Sequence, residues 1–153
     1  MLERKEITIE AQPIFRQYIQ NQDNSTYNFT NMFMWSGSGI TYGIVEGCLV
    51  LFFQNGKQPV SVSYPVGGGD KKAALVKPSE YIRALGLTPV FRNLSTEMVE
   101  ELTNFFPYHF EYVEDRNAAD YIYETDKMIH ISGKKIQGKR NHYNYFKNNF
   151  YYN

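Results

Sequence analysis

ITYGIVEGCLVLFFQNGKQPVSVSYPVGGGD, residues 40–70, reads as three strands and a glycine turn in direct succession. Residues 40–46 alternate as a half-buried strand does, and Gly47 turns the chain. Residues 48–54 are an almost unbroken apolar run of strand length. The Asn55-Gly56 pair is a strong hairpin signal and leads into a third strand over 60–66. The result is an antiparallel meander. Gly67, Gly68 and Gly69 then bring the chain to Asp70 and a helical pattern.

On the N-terminal side, residues 5–9 predict a short strand. Residues 10–20 predict a helix with Ile14, Phe15, Tyr18 and Ile19 on one face and Pro13 in its first turn. A polar break at 21–26 precedes a short buried helix over 28–35, which the SGSG run at 36–39 ends. On the C-terminal side, residues 70–86 are helical but interrupted by Pro78, which predicts a kink or two short helices closed by Gly86. A strand over 89–94 follows, then a helix over 97–105 capped by Ser95 or Thr96. Two further strands are expected over 109–114 and 119–124, a short helix over 126–132, and a longer one from about 138 to 151. Helices around a central meander define an α+β, or mixed α/β sheet, domain.

The 153 residues suffice for one core-bearing domain and are too few for two comfortable ones. The zero net charge conceals a segregation. Residues 1–115 hold 9 Lys and Arg against 13 Asp and Glu, about −4; residues 116–153 hold 7 against 3, about +4. A generic duplex binder carries its excess positive charge over the whole module, which is not the pattern here. The single cysteine, Cys48, lies in the apolar run, so it reads as a buried hydrophobe and a reducing compartment is expected. With no signal region and no apolar run long enough to span a bilayer, the chain is expected to be soluble and cytoplasmic.

Two segments carry candidate chemistry. The glycines at 67–69 stand between a strand and a helix, where free backbone N–H groups suit a pyrophosphate. They match neither a Walker loop nor GxGxxG, and Asp70 at the helix entrance would cap the helix and repel a phosphate. A plain turn and a phosphate cradle both remain open. The second segment is DYIYETDKMIHISGKKIQGKRNHYNYF, residues 120–146, with Lys134, Lys135, Lys139 and Arg140 close together. Such cations meet phosphates or carboxylates. On a helix starting near Gly138, Tyr143, Phe146 and Phe150 form an aromatic stripe. A solvated amphipathic helix explains the composition, while the size of the stripe favours docking against another element. Asp120, Glu124 and Asp126 are expected to pair with the cations. His109, His130 and His142 lack metal-ligand spacing, so no metal is expected. No GxSxG elbow is present.

The motifs NFTNMFMW at 28–35, YPVGGGD at 64–70 and the 120–146 stretch resemble the DUF2156 family. That family is similar to the C-terminal region of bacterial phosphatidylglycerol lysyltransferases, with a tandem GNAT-like acyltransferase fold. The resemblance implies that residues 1–133 form the first GNAT-like domain and 134–153 a helix leading to a second, which would pack on Tyr143, Phe146 and Phe150. It implies an activated acyl donor, acyl-CoA at Gly67–Gly69 or an aminoacyl-tRNA, and an amine or hydroxyl acceptor. Lys134, Lys135, Lys139, Arg140 and Asn141 match the family's basic motif. By the resemblance they would hold the phosphates or terminal adenosine of a tRNA acceptor end. No catalytic residue can be assigned, and the first half alone is expected to be inactive. The alternatives are an autonomous acyl-CoA-dependent N-acetyltransferase and a non-catalytic phosphate- or RNA-binding module.

Overall fold

The computed structural model describes residues 2–19, 25–56 and 60–150. The polar break at 21–26, the turn at 55–59 and the end of the last helix therefore lie partly outside the described residues. The chain divides into two compact units, Met1–Ala118 and Ala119–Asn153. The division at 133/134 expected from the resemblance falls inside the second unit.

The first unit is built on a five-stranded sheet, β1 (Lys5–Glu6), β2 (Ile40–Val45), β3 (Cys48–Phe53), β4 (Ser61–Ser63) and β5 (Phe91–Arg92), ordered as in the sequence. The first three pairings are antiparallel and β4–β5 is parallel. The apolar run of β3 has a physical cause: the strand is covered on both sides, so both of its faces must be apolar. Leu49 and Leu51 join Phe15, Tyr27, Met32 and Tyr42 beneath α1 (Gln12–Tyr18) and α2 (Phe29–Met34). Cys48, Val50 and Phe52 join Val62, Ala74 and Ile82 beneath α3 (Lys71–Ala84). A third cluster holds Tyr64, Leu75 and Leu102, with Met98 and Phe105 of α4 (Thr96–Phe105).

Three expectations need correction. Residues 71–84 form one continuous helix through Pro78, so of the kink or two short helices expected there the split into two helices does not occur. Pro78 is buried, and the neighbouring Ser79 hydroxyl donates to the Leu75 carbonyl at 2.8 Å. Packing of this face outweighs the single backbone hydrogen bond that proline removes. Gly86 ends the helix at φ +75, as expected. The strands expected over 109–114 and 119–124 are absent; both segments are irregular and mostly exposed. Alternation makes a segment fit for a sheet but does not supply a neighbouring ladder. Finally, β1 covers only two residues before the chain coils into a 3-10 turn at Ile9–Ala11.

The β3–β4 ladder contains a bulge. Phe52 faces Val62 while Leu49 faces Val66, so three steps on β3 oppose four on the other side. Ser63 fills the gap: its hydroxyl accepts from the Leu51 amide at 2.9 Å and donates to the Tyr64 carbonyl at 3.1 Å. This bulge sets the direction of the chain into the glycine turn.

The second unit contains α5 (Thr125–His130), a 3-10 turn at Lys134–Ile136, and α6 (Gln137–Phe150). Among its described residues only Ile136 is fully buried.

Candidate functional site

The glycine turn is locked to the tight turn between β2 and β3. Glu46 and Gly47 of that turn both have positive φ, 50 and 72. A Cβ on Gly69 would run into the carbonyl groups of both residues, and the Asp70 amide donates to the Glu46 carbonyl at 2.9 Å. Gly67 has φ +117, and a Cβ there would stand 2.6 Å from Cδ1 of Tyr18. Gly68 alone faces open space. At the start of α3, the Asp70 carboxylate accepts from the Ala73 amide at 2.9 Å. Lys77 pairs with Glu46 from the next turn of the helix.

These contacts decide how well an acyl-CoA pyrophosphate suits the turn. It would need free amides at the helix entrance and no opposing charge. The Asp70 and Ala73 amides are committed, and the Asp70 carboxylate occupies the cap. Cys48 lies under the same turn: burial pushes its thiol up, opposed by a hydrogen bond from the Gly69 backbone. The Asp70 carboxylate and these two committed amides count against a pyrophosphate at this turn.

A charged cluster beside the turn escaped the sequence reading. Lys71, the first residue of α3, binds Glu101 of α4 at 2.9 and 3.2 Å, and its ammonium stands 5.7 Å from the centre of the Tyr64 ring. The Tyr64 hydroxyl is buried and makes no well-formed hydrogen bond among the described residues, although the Glu101 carboxylate stands close enough to attract its proton. Burial pushes its pKa far above the ordinary tyrosine value, and the nearby Glu101 carboxylate acts in the same direction. Tyr27 is raised by burial too, although its hydroxyl donates to the Tyr64 carbonyl at 2.9 Å. Lys71 and Glu101 are thirty positions apart, so no local spacing announces the cluster.

An unmatched buried hydroxyl costs roughly 1–3 kcal/mol. Tyr64→Phe is therefore expected to leave stability at neutral pH unchanged or raise it by about 1 kcal/mol. A tyrosine whose folded pKa is raised contributes stability that is complete below its unfolded value near ~10 and is lost as pH rises toward the folded value. The Tyr64→Phe protein should thus lose less stability above pH ~10, by about 1.4 kcal/mol per pH unit. Urea titrations at neutral and alkaline pH check both points; a marked loss at neutral pH would mean that the hydroxyl has a stabilising partner.

In the second unit, Lys134 and Lys135 occupy the 3-10 turn, exposed, with Gly133 before them at φ +100. Lys139 and Arg140 lie in the first turn of α6. The Lys139 ammonium stands 4.9 Å from the centre of the Tyr123 ring. Arg140 donates through Nη2 to the Gly133 carbonyl at 2.9 Å, while its buried Nε has no partner. Asn141 is exposed, as are Tyr143, Phe146 and Phe150 along the same helix. Glu124 pairs with Lys127 at 2.6 Å, not with the basic motif where the sequence reading placed it. Ile131 ends α5 at φ 45, a left-handed conformation uncommon for a β-branched residue. The unit thus presents cations, an arginine oriented by the Gly133 carbonyl, and a tyrosine face under a lysine. That set suits a phosphate carried beside a ring or base. Among the described residues no group of three His, Cys, Asp or Glu is placed to hold a metal ion.

The α+β unit, with its meander, bulged strand and glycine turn, is consistent with a GNAT-like fold. It is similar to the crystal structure of a conserved protein of unknown function from Bacteroides thetaiotaomicron VPI-5482, with 31% identity and a TM-score of 0.82. The similarity covers 97% of this chain and 51% of that one, so the chain spans about half the length of the solved protein. No curated protein matches the sequence. The family match supports an acyl- or aminoacyl-transferase-like module. Residues 18–152 match the family described as phosphatidylglycerol lysyltransferase, C-terminal, and the chain belongs to that family.

Proposed function

We propose that the chain is the first half of a tandem GNAT-like aminoacyltransferase that moves an amino acid from aminoacyl-tRNA to a hydroxyl or amine, with a phospholipid headgroup as acceptor. The observation carrying this reading is the Lys139–Tyr123 and Arg140–Gly133 arrangement in the second unit. Arg140 is already oriented by one backbone contact through Nη2, so its guanidinium charge is held in place for a phosphate oxygen with little ordering cost. Lys134, Lys135 and Asn141 extend the grip along a phosphate chain. The family's name supplies the acceptor class, a phosphatidylglycerol-type lipid.

In the transfer, the acceptor hydroxyl oxygen attacks the ester carbonyl carbon. The bond to the terminal ribose oxygen breaks, and that oxygen leaves with the proton. One ester replaces another, so the reaction needs little driving force and holding the two reactants together supplies much of the rate. The second GNAT-like domain would pack on Tyr143, Phe146 and Phe150. The α6 helix has no buried residue of its own, and a helix this short gains little stability without a packed face.

The natural full-length protein, given aminoacyl-tRNA labelled in the amino acid together with phosphatidylglycerol vesicles, is expected to move label into the lipid fraction. Acyl-CoA offered instead is expected to give no transfer and no heat in calorimetry, given the committed amides at Asp70 and Ala73. CoA binding abolished by Gly68→Ala would replace this reading with a CoA-dependent one. Salt-sensitive RNA binding without transfer would leave a non-catalytic binding module.

A further inference from the structure

The second unit exposes the kind of side chain that a folded body buries. Among residues 119–150 only Ile136 is buried; Ile131 and Arg140 are half-buried, and every other residue is exposed. The exposed set includes Tyr121 and Ile122, at 88% and 85%, Ile129 of α5, and Phe146 and Phe150 of α6. These side chains lie on every part of the unit, not on one helix face. One buried side chain does not offset the entropy of ordering a unit of this length. Units so small rely on disulfides, a metal or a partner. The sole cysteine of the chain, Cys48, lies outside the unit, and among the described residues no group is placed to hold a metal ion. A covering body is what remains.

Three observations say what that body is. The first is permanence. With no core of its own, the unit needs its cover whenever the chain is folded, and contacts of that kind resemble a domain core cut in two. The second is the segment 119–124, where Ile122 alternates with Tyr121 and Tyr123. Apolar side chains then point to both faces, as in strands covered on both sides. The segment is nevertheless irregular, and the five-stranded sheet of the first unit does not include it. The third is length. The match to the solved protein takes 97% of this chain and 51% of that one, so about as much chain again lies outside the match there. A cover on the same polypeptide is always present, at high effective concentration.

We infer that residues 119–150 are the opening elements of the second folded body of the full-length protein. Residues 119–124 form a strand in its sheet, α5 and α6 contribute to its core, and the boundary between the two bodies lies at 118/119. This rests on the reading of the chain as the first half of a tandem protein, and it deepens that reading. The α6 helix is then not laid against a finished domain but belongs to it, and Lys134, Lys135, Lys139 and Arg140 belong to the second body with it.

Hydrogen exchange of the natural full-length protein, read by mass spectrometry, tests the assignment in the wild type, Gly69→Ala and Ile122→Asp. In the wild type the amides of 119–124 are expected to exchange at least ~1,000-fold slower than in an unfolded chain, at every protein concentration. Gly69→Ala, which loosens the first unit, should speed exchange at residues 49–51 about 100-fold while leaving 119–124 within about threefold of the wild type. Ile122→Asp should do the reverse, speeding exchange at 119–124 and through the C-terminal half by about tenfold or more and leaving 49–51 unchanged. Ile129→Ser makes a milder change of the same kind on α5, for use where Ile122→Asp unfolds the second body outright. Four results would overturn the inference: fast exchange at 119–124 in the wild type, protection there that falls together with residues 49–51 in Gly69→Ala, protection that rises with protein concentration because a second copy supplies the cover, or a C-terminal half indifferent to both Ile122→Asp and Ile129→Ser. A natural gene product ending at residue 153 removes this inference and the tandem reading together. Aminoacyl transfer with 119–124 unprotected removes only the boundary. Protection shared with the C-terminal half but no transfer removes only the aminoacyl reading.

Discussion

Gly69→Ala is expected to destabilise the first unit by about 3 kcal/mol, lowering its melting temperature by roughly 10 °C, while Gly68→Ala leaves it nearly unchanged. The two residues are adjacent and chemically identical, so the contrast isolates packing from composition. A methyl on Gly69 meets the backbone carbonyls of Glu46 and Gly47. Those atoms belong to a tight turn already held at positive φ and tied by the Asp70 amide. They cannot move aside as a flexible side chain could. Either the turn separates from the start of α3, losing the Asp70–Glu46 contact, or the strain spreads into β2 and β3. At Gly68 a methyl meets nothing within 4 Å. Thermal unfolding of the two variants side by side measures the difference, and equal melting temperatures would remove the account of this turn as a packing latch. A phosphate cradle would reverse the functional ranking, because its open glycine is the one a ligand approaches.

The second large effect concerns the donor grip. The Lys139→Ala, Arg140→Ala double variant of the full-length protein is expected to lose about 100-fold in kcat/KM with aminoacyl-tRNA. Two charge-assisted phosphate contacts at roughly 1.5–3 kcal/mol each, taken as less than additive, lead to that figure. The dependence of binding on salt should flatten at the same time, since fewer counterions are released. Arg140→Lys distinguishes the nature of the contact. Lysine keeps the charge but loses the planar fork held against the Gly133 carbonyl. Full activity in Arg140→Lys would reduce the site to a diffuse positive patch. Activity unchanged in the double variant would move the donor elsewhere.

Much of the first unit was legible because its elements announce themselves locally. The apolar run of β3, the alternation of β2 and the Ser95 cap of α4, which accepts from the Met98 amide, are consequences of neighbours in sequence. The resemblance of residues 28–35, 64–70 and 120–146 to the phosphatidylglycerol lysyltransferase C-terminal region was likewise legible, and the family match confirms it. The failures have a common cause. The segments at 109–114 and 119–124 have the period of strands but pair with no neighbouring strand, and Pro78 has the signature of a break but sits where packing holds the helix together.

The same division runs through the candidate sites. Which residues carry charge, which turns need glycine, and which helix faces are apolar follow from the amino-acid order, because each depends on residues a few positions apart. Three matters were settled only by the folded chain: the closure of the glycine turn against Glu46 and Gly47, the pairing of Lys71 with Glu101 around a buried tyrosine hydroxyl, and the outward presentation of Met34 and Trp35. Each depends on atoms brought together from distant parts of the chain, or on which side of a helix the core happens to cover. Local pattern carries no record of either, since steric fit and burial are properties of the assembled packing.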